Sequence, residues 1–220
     1  MKKIKKPILF NIILLLFLSS WVKAQKVQIY DSTYTINNTK YLAKYEFYLS
    51  GKDTIYNGKF ELSQQFENQE DIYEYLAVNG HFIENRADEK WILTEGSFEP
   101  TGDGYYKDYT YSYDVNGDEF MAVGKFVAGK KTGAWKLYDW QIRDSEIKDT
   151  TLTATINYEN DKAKGEFQLS IENNVLEGNL GDEELTQGVW SFYRLDEEGN
   201  LNLVKEWIFE DNILIAMRLY

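Results

Sequence analysis

Of the 220 residues, 36 are acidic and 24 basic, a formal charge of −12, and 16% are aromatic. Affinity for phosphate backbones and anionic lipid heads rests on Lys and Arg, so this balance argues against nucleic-acid partners and charge-driven membrane binding. There is no cysteine to form disulfides, and with His81 as the one histidine no site can use two imidazole ligands.

The N-terminus has the pattern of an export leader. Lys2, Lys3, Lys5 and Lys6 precede an apolar run over residues 8–18 that is interrupted only by Asn11. Val22-Lys23-Ala24 then offers modest side chains where a signal peptidase cuts, so a signal peptide is expected over 1–24 and one domain over 25–220. The apolar run is too short to span a bilayer comfortably, and no cysteine follows it to carry a lipid. Removing five lysines with the leader leaves 19 basic against 36 acidic residues, a charge of −17. Strong net charge favours solubility and resists self-association. Without disulfides, the mature chain must rest on an apolar core, and no Pro-, Ser- or Gly-rich linker divides it.

From Gln25 onward the dominant period is two. Tyr41, Ala43, Tyr45, Phe47 and Leu49 alternate with Leu42, Lys44, Glu46 and Tyr48, which predicts a half-buried strand ending in a turn at Ser50-Gly51-Lys52-Asp53. Strands are expected over 54–64, 72–78 and 91–98, with a polar loop over 67–71. Asn79-Gly80 and Asn116-Gly117 have the residues of hairpin turns. Thr101-Gly102-Asp103-Gly104 reads as a loop, and Tyr105, Tyr109, Tyr111 and Tyr113 as one face of the strand after it. A central hairpin over 124–138 turns through Gly-Lys-Lys-Thr-Gly. Further strands are expected over 151–158, 165–171, 189–195, 201–209 and 213–220, with turns at residues 196–200 and at Asp211-Asn212. Close turns throughout predict an all-β antiparallel meander of stacked hairpins.

One pattern recurs. Gly-x-Phe occurs at Gly58/Phe60, Gly80/Phe82, Gly96/Phe98, Gly124/Phe126 and Gly165/Phe167. Chance placement would give about one such triplet. Trp91 follows Gly80 by 11 residues, Trp135 follows Gly124 by 11, and Trp190 follows Gly178 by 12. A glycine removes a side chain, so a ring on an adjacent strand can lie against bare backbone. A single hairpin cannot hide its apolar face, so the units must stack.

Residues 124–138, with Gly124, Phe126, Gly133 and Trp135, resemble a MORN-type repeat of the degenerate kind found in bacterial proteins, some of them labelled antitoxin-like. The resemblance extends weakly to residues 80–91 and covers about half of the chain. It implies an elongated antiparallel sheet used as a scaffold or binding surface, and it implies no activity.

Candidate chemistry is sparse. His81 lies in Asn-Gly-His-Phe, where an exposed strand residue is the simplest reading and a Ser-His-Asp role the alternative. Asp114-Val115-Asn116-Gly117-Asp118-Glu119 spaces oxygens as a calcium loop begins, but its sixth and twelfth residues are Glu119 and Lys125 where Gly and Glu are needed. No metal or other cofactor is expected. Tyr105, Tyr109, Tyr111 and Tyr113 form either a recognition surface for peptide or sugar, or part of the buried face. The sequence thus predicts an exported, non-enzymatic scaffold, periplasmic or extracellular, whose partner is another envelope protein or a surface polymer. An outer-membrane β-barrel and an unlocated envelope hydrolase are the alternatives.

Overall fold

The computed structural model describes residues 26–36, 39–67 and 72–220, so the expected leader and most of the 67–71 loop lie outside the described residues. The strands are β1 (Gln28–Ile36), β2 (Thr39–Ser50), β3 (Asp53–Glu67), β4 (Tyr73–Ile83), β5 (Arg86–Lys107), β6 (Thr110–Val127) and β7 (Lys130–Arg143). They continue with β8 (Glu146–Glu159), β9 (Lys162–Ile171), β10 (Asn174–Leu180), β11 (Thr186–Leu195), β12 (Leu201–Glu210) and β13 (Ile213–Leu219). One 3-10 turn, Asp182–Glu184, separates β10 from β11. The 13 strands form one antiparallel sheet in chain order. Its edges, β1 and β13, do not pair with each other, so the sheet is open and lacks the closure a barrel requires.

The sheet is a single layer, with contacts almost wholly between consecutive strands. Among the described residues only Ala43, Tyr45, Ala154, Val175 and Trp190 are buried apolar side chains. The rings of one face stabilise the layer by stacking on one another or meeting edge to face. Tyr30, Tyr45, Phe60, Phe82, Trp91, Phe126, Trp135 and Tyr158 form a chain of ring contacts across β1 to β8, with centroids 4.7–6.3 Å apart. Phe167, Trp190 and Phe209 make a second run at 5.3 and 6.4 Å. Such contacts add to the value of burying the rings. Burial pushes the Tyr45 hydroxyl up to about 12.

The glycine–tryptophan spacing is a packing device. A Cβ at Gly80 would lie 2.3 Å from the Trp91 ring, one at Gly124 2.1 Å from Trp135, and one at Gly178 2.1 Å from Trp190. Each indole rests on bare backbone and donates its Nε1–H to a nearby carbonyl: Trp91 to Asp88 O (3.0 Å), Trp135 to Lys125 O (3.3 Å) and Trp190 to Asn179 O (3.2 Å). The Gly-x-Phe pairs interlock. Phe60 stands opposite Gly80 and Phe82 opposite Gly58, while Phe98 faces Gly117 and Phe167 faces Gly178.

Several turns fall elsewhere than the sequence suggests. Asn79-Gly80 lies inside β4 and Asn116-Gly117 inside β6. The central turn is Ala128-Gly129 alone, and Gly133 belongs to β7. Two-residue turns with positive φ at both positions also occur at Glu84-Asn85, Asp108-Tyr109, Asp144-Ser145, Asn160-Asp161 and Asp211-Asn212, the geometry that suits a right-twisted hairpin. The expected loop at 101–104 lies within β5, where the register slips between Thr101 and Tyr105.

Most of these turns are clamped to an earlier strand. Asn85 donates its N–H to Tyr56 O (2.9 Å) and accepts the Tyr56 N–H on Oδ1 (2.7 Å). Ser145 does the same with Val115 (2.9 and 3.1 Å, through Oγ), Asp161 with Lys131 (3.1 and 2.7 Å), and Asn212 with Thr186. The next residue of the receiving strand completes three of these clamps. Asn57, Asn116 and Gln187 accept the N–H of Glu84, Asp144 and Asp211. Asp88 accepts that of Ala128 at 2.9 Å, which holds its carboxyl below the usual range. Asn116-Gly117 is therefore the seat of a neighbouring turn and not a turn itself.

Candidate functional site

Beyond the sheet body, one hairpin stands alone. β5 pairs with β4 only as far as Phe98, and β6 pairs with β7 only from Gly117 onward. The β7–β8 turn reaches Val115 and Asp114. Among the described residues, 101–113 then pair only within their own hairpin, an arm of roughly 20 Å at ~3.3 Å per residue.

The arm carries the four expected tyrosines, but not on one strand face. The chain reverses at Asp108-Tyr109, which leaves Tyr105 on β5 and Tyr111 and Tyr113 on β6. Tyr105 pairs with Ser112, so it points to the face opposite Tyr111, and its hydroxyl donates to Asp114 Oδ1 at 3.1 Å. That carboxylate holds the Tyr105 hydroxyl above its usual range. The fifth ring, Tyr106, pairs with Tyr111 and completes a row with it and Tyr113, at centroid distances of 5.1 and 5.2 Å. A sequence reading that runs one strand through 105–113 puts Tyr106 on the opposite face, with Asp108, Thr110 and Ser112, and so leaves it out of the candidate surface. Placing the turn at Asp108-Tyr109 would have found it.

These rings are solvent-facing. Tyr109 is fully exposed at the tip, Tyr106 is 79% exposed, and Tyr105, Tyr111 and Tyr113 are each exposed by more than two-fifths. Tyr111 nonetheless has a fixed seat, since a Cβ at Gly104 would lie 2.6 Å from its ring. Tyr109 has φ of 64°, a left-handed conformation that is uncommon for a bulky side chain and costs about 1–2 kcal/mol. The arrangement offers flat rings with polar tips on a narrow support, which suits them to surface contact.

Asp114, Asn116 and Asp196, the oxygens of the acidic turns, are occupied in structural roles. Asp114 and Asn116 spend their side-chain oxygens on Tyr105, Ser145 and Asp144. Asp196 Oδ1 caps its own turn by accepting the N–H groups of Glu198 and Asn200. His81 is half-buried in β4, opposite Lys59, with Nδ1 3.9 Å from the Glu89 carboxylate. A broad open concavity of about 810 Å³ over β4–β7 is edged by Glu74, Glu95, Asp118 and Asp139. Beside it Tyr75 donates to Glu119, and burial followed by that bond raises the Tyr75 hydroxyl above its usual range. Among the described residues no three Asp, Glu or His side chains converge as a metal site would need. The remaining residues of the repeat, Gly58, Phe60, Gly80, Phe82, Trp91, Gly124, Phe126, Trp135, Phe167 and Trp190, are engaged in the packing described above, while Gly165 sits in β9 with positive φ.

No protein-family model, no curated protein and no solved structure matches the chain.

Proposed function

We propose that this chain is an exported, non-enzymatic β-repeat protein, a scaffold of degenerate MORN-type hairpins that holds another envelope protein or a surface polymer through its tyrosine arm. The observation that carries this reading is the arm itself. Among the described residues, 101–113 pair only with one another, and they expose five tyrosines, one of which occupies a turn position where Gly or Asn would be less strained. Backbone strain held at a non-glycine turn residue is a recurrent mark of functional positions. Tyrosine gives large rigid contact area for little lost side-chain freedom.

The test is affinity capture from the native envelope with the full chain and with a variant carrying Tyr106→Ser, Tyr109→Ser, Tyr111→Ser and Tyr113→Ser. The expected result is loss of the captured partner with an unchanged circular dichroism spectrum. Capture that is equally efficient with the variant would rule out the arm. Release of the chain from cells by osmotic shock, without detergent, is the expected outcome for its location.

A further inference from the structure

The two edges of the sheet are guarded differently. β1 carries Asp31, paired with Lys44 at 3.6 Å, and mixes Gln28, Ser32, Thr33 and Thr35 with the exposed Ile29, Tyr34 and Ile36. β13 reads Ile-Leu-Ile-Ala-Met-Arg-Leu, and every one of its residues is exposed. Among the described residues it pairs only with β12, and its outer backbone groups have no strand partner among them. Proteins ordinarily protect such an edge with lysine, proline or a covering segment. The single charge here, Arg218, is already neutralised by Glu206 at 3.2 Å, and the Tyr220 hydroxyl donates to the same carboxylate at 2.6 Å. The adjoining sheet face continues the apolar character. Leu176, Trp190, Phe192, Trp207 and Phe209 line an open groove of about 410 Å³ beside the strand.

We infer that β13 is the contact by which two copies of this chain form a two-fold dimer, edge to edge. The choice of a second copy rests on charge and on self-complementarity. Copies with a net charge of −12 repel wherever acids lie on the surface, and residues 213–220 contain none. An antiparallel partner strand centred on Met217 sets Met217 against its own copy, Ile215 against the other copy's Leu219, and Ala216 against the other copy's Arg218. No pair in that register places like charges opposite each other. Two-fold closure consumes both copies of the edge, so assembly stops at two. The union joins the apolar faces beside β13 into one surface. It leaves both arms free, so it stands or falls apart from the arm's role.

The absence of cysteine makes the test clean. In the full chain, Met217→Cys should form an intermolecular disulfide on mild oxidation, far faster than Thr33→Cys on the opposite edge. Sedimentation of the unmodified chain at micromolar concentration should give a dimer. Met217→Lys should weaken self-association by at least about tenfold, roughly 1.4 kcal/mol, with an unchanged circular dichroism spectrum. A monomer, an open-ended series of assemblies, or a dimer indifferent to Met217→Lys would overturn the inference. Faster cross-linking at Thr33→Cys would move the contact to β1 and overturn it as well.

Discussion

The body of the sheet and the arm use the same residues to opposite ends. In the body, Gly80, Gly124 and Gly178 give Trp91, Trp135 and Trp190 a backbone to lie on, and the indoles bond to carbonyls beside them. In the arm, Gly104 seats Tyr111 in the same manner, but no neighbouring strand closes over the ring, which stays half-exposed. A glycine–aromatic pair therefore marks where a ring is held. Whether the ring is structural or presented depends on the flanking strands.

The largest effect that distinguishes the two regions is expected at Trp190, the most buried of the rings that rest on glycine. Trp190→Ala should cost about 3–5 kcal/mol in urea unfolding. Next is Gly124→Ala, whose methyl would meet the Trp135 ring at 2.1 Å. It should cost about 1–3 kcal/mol, as overpacking does. A Gly124→Ala protein as stable as the parent would break the comparison at its base.

A pH scan adds a third contrast. The folded chain keeps the Tyr45 proton to about 12, against an ordinary value of 10.0, while the unfolded chain releases it. The contribution of Tyr45 to stability is thus intact below pH 10 and declines between 10 and about 12. Tyr45→Phe should reduce the alkaline decline in unfolding experiments at stepped pH, with the part due to the raised Tyr56, Tyr75 and Tyr158 hydroxyls remaining.

The turn clamps predict a smaller loss. Asn85→Ala removes the Oδ1 that accepts the Tyr56 N–H and should cost about 1 kcal/mol. Replacing Tyr106, Tyr111 and Tyr113 with Ser should shift body stability least, by under about 0.5 kcal/mol each. Tyr109→Gly should raise stability by about 1 kcal/mol through relief of the left-handed turn. If these arm substitutions unfold the protein, the rings belong to the core and the contrast is lost.

The packing unit was legible in the sequence because it is local: spacings of 11 and 12 residues between Gly and Trp correspond to contacts across single hairpins. The turns were less legible. Asn-Gly tolerates positive φ and so suggests a turn, yet Asn116-Gly117 receives the Asp144-Ser145 turn of another hairpin. That role depends on strands 28 residues apart, which period and composition do not reveal. The true turns at Glu84-Asn85, Asp108-Tyr109 and Asp144-Ser145 contain no glycine, and neighbouring strands hold two of them in place. The misplaced turns explain why the tyrosines read as one strand face and why Tyr106 was missed.

Residue-resolved hydrogen exchange of the native protein measures the division between body and arm directly. The account predicts that the amides of β6 residues 120–126, inside the clamped body, exchange far more slowly than those of residues 105–113. Equal protection along the whole of β5 and β6 would contradict it.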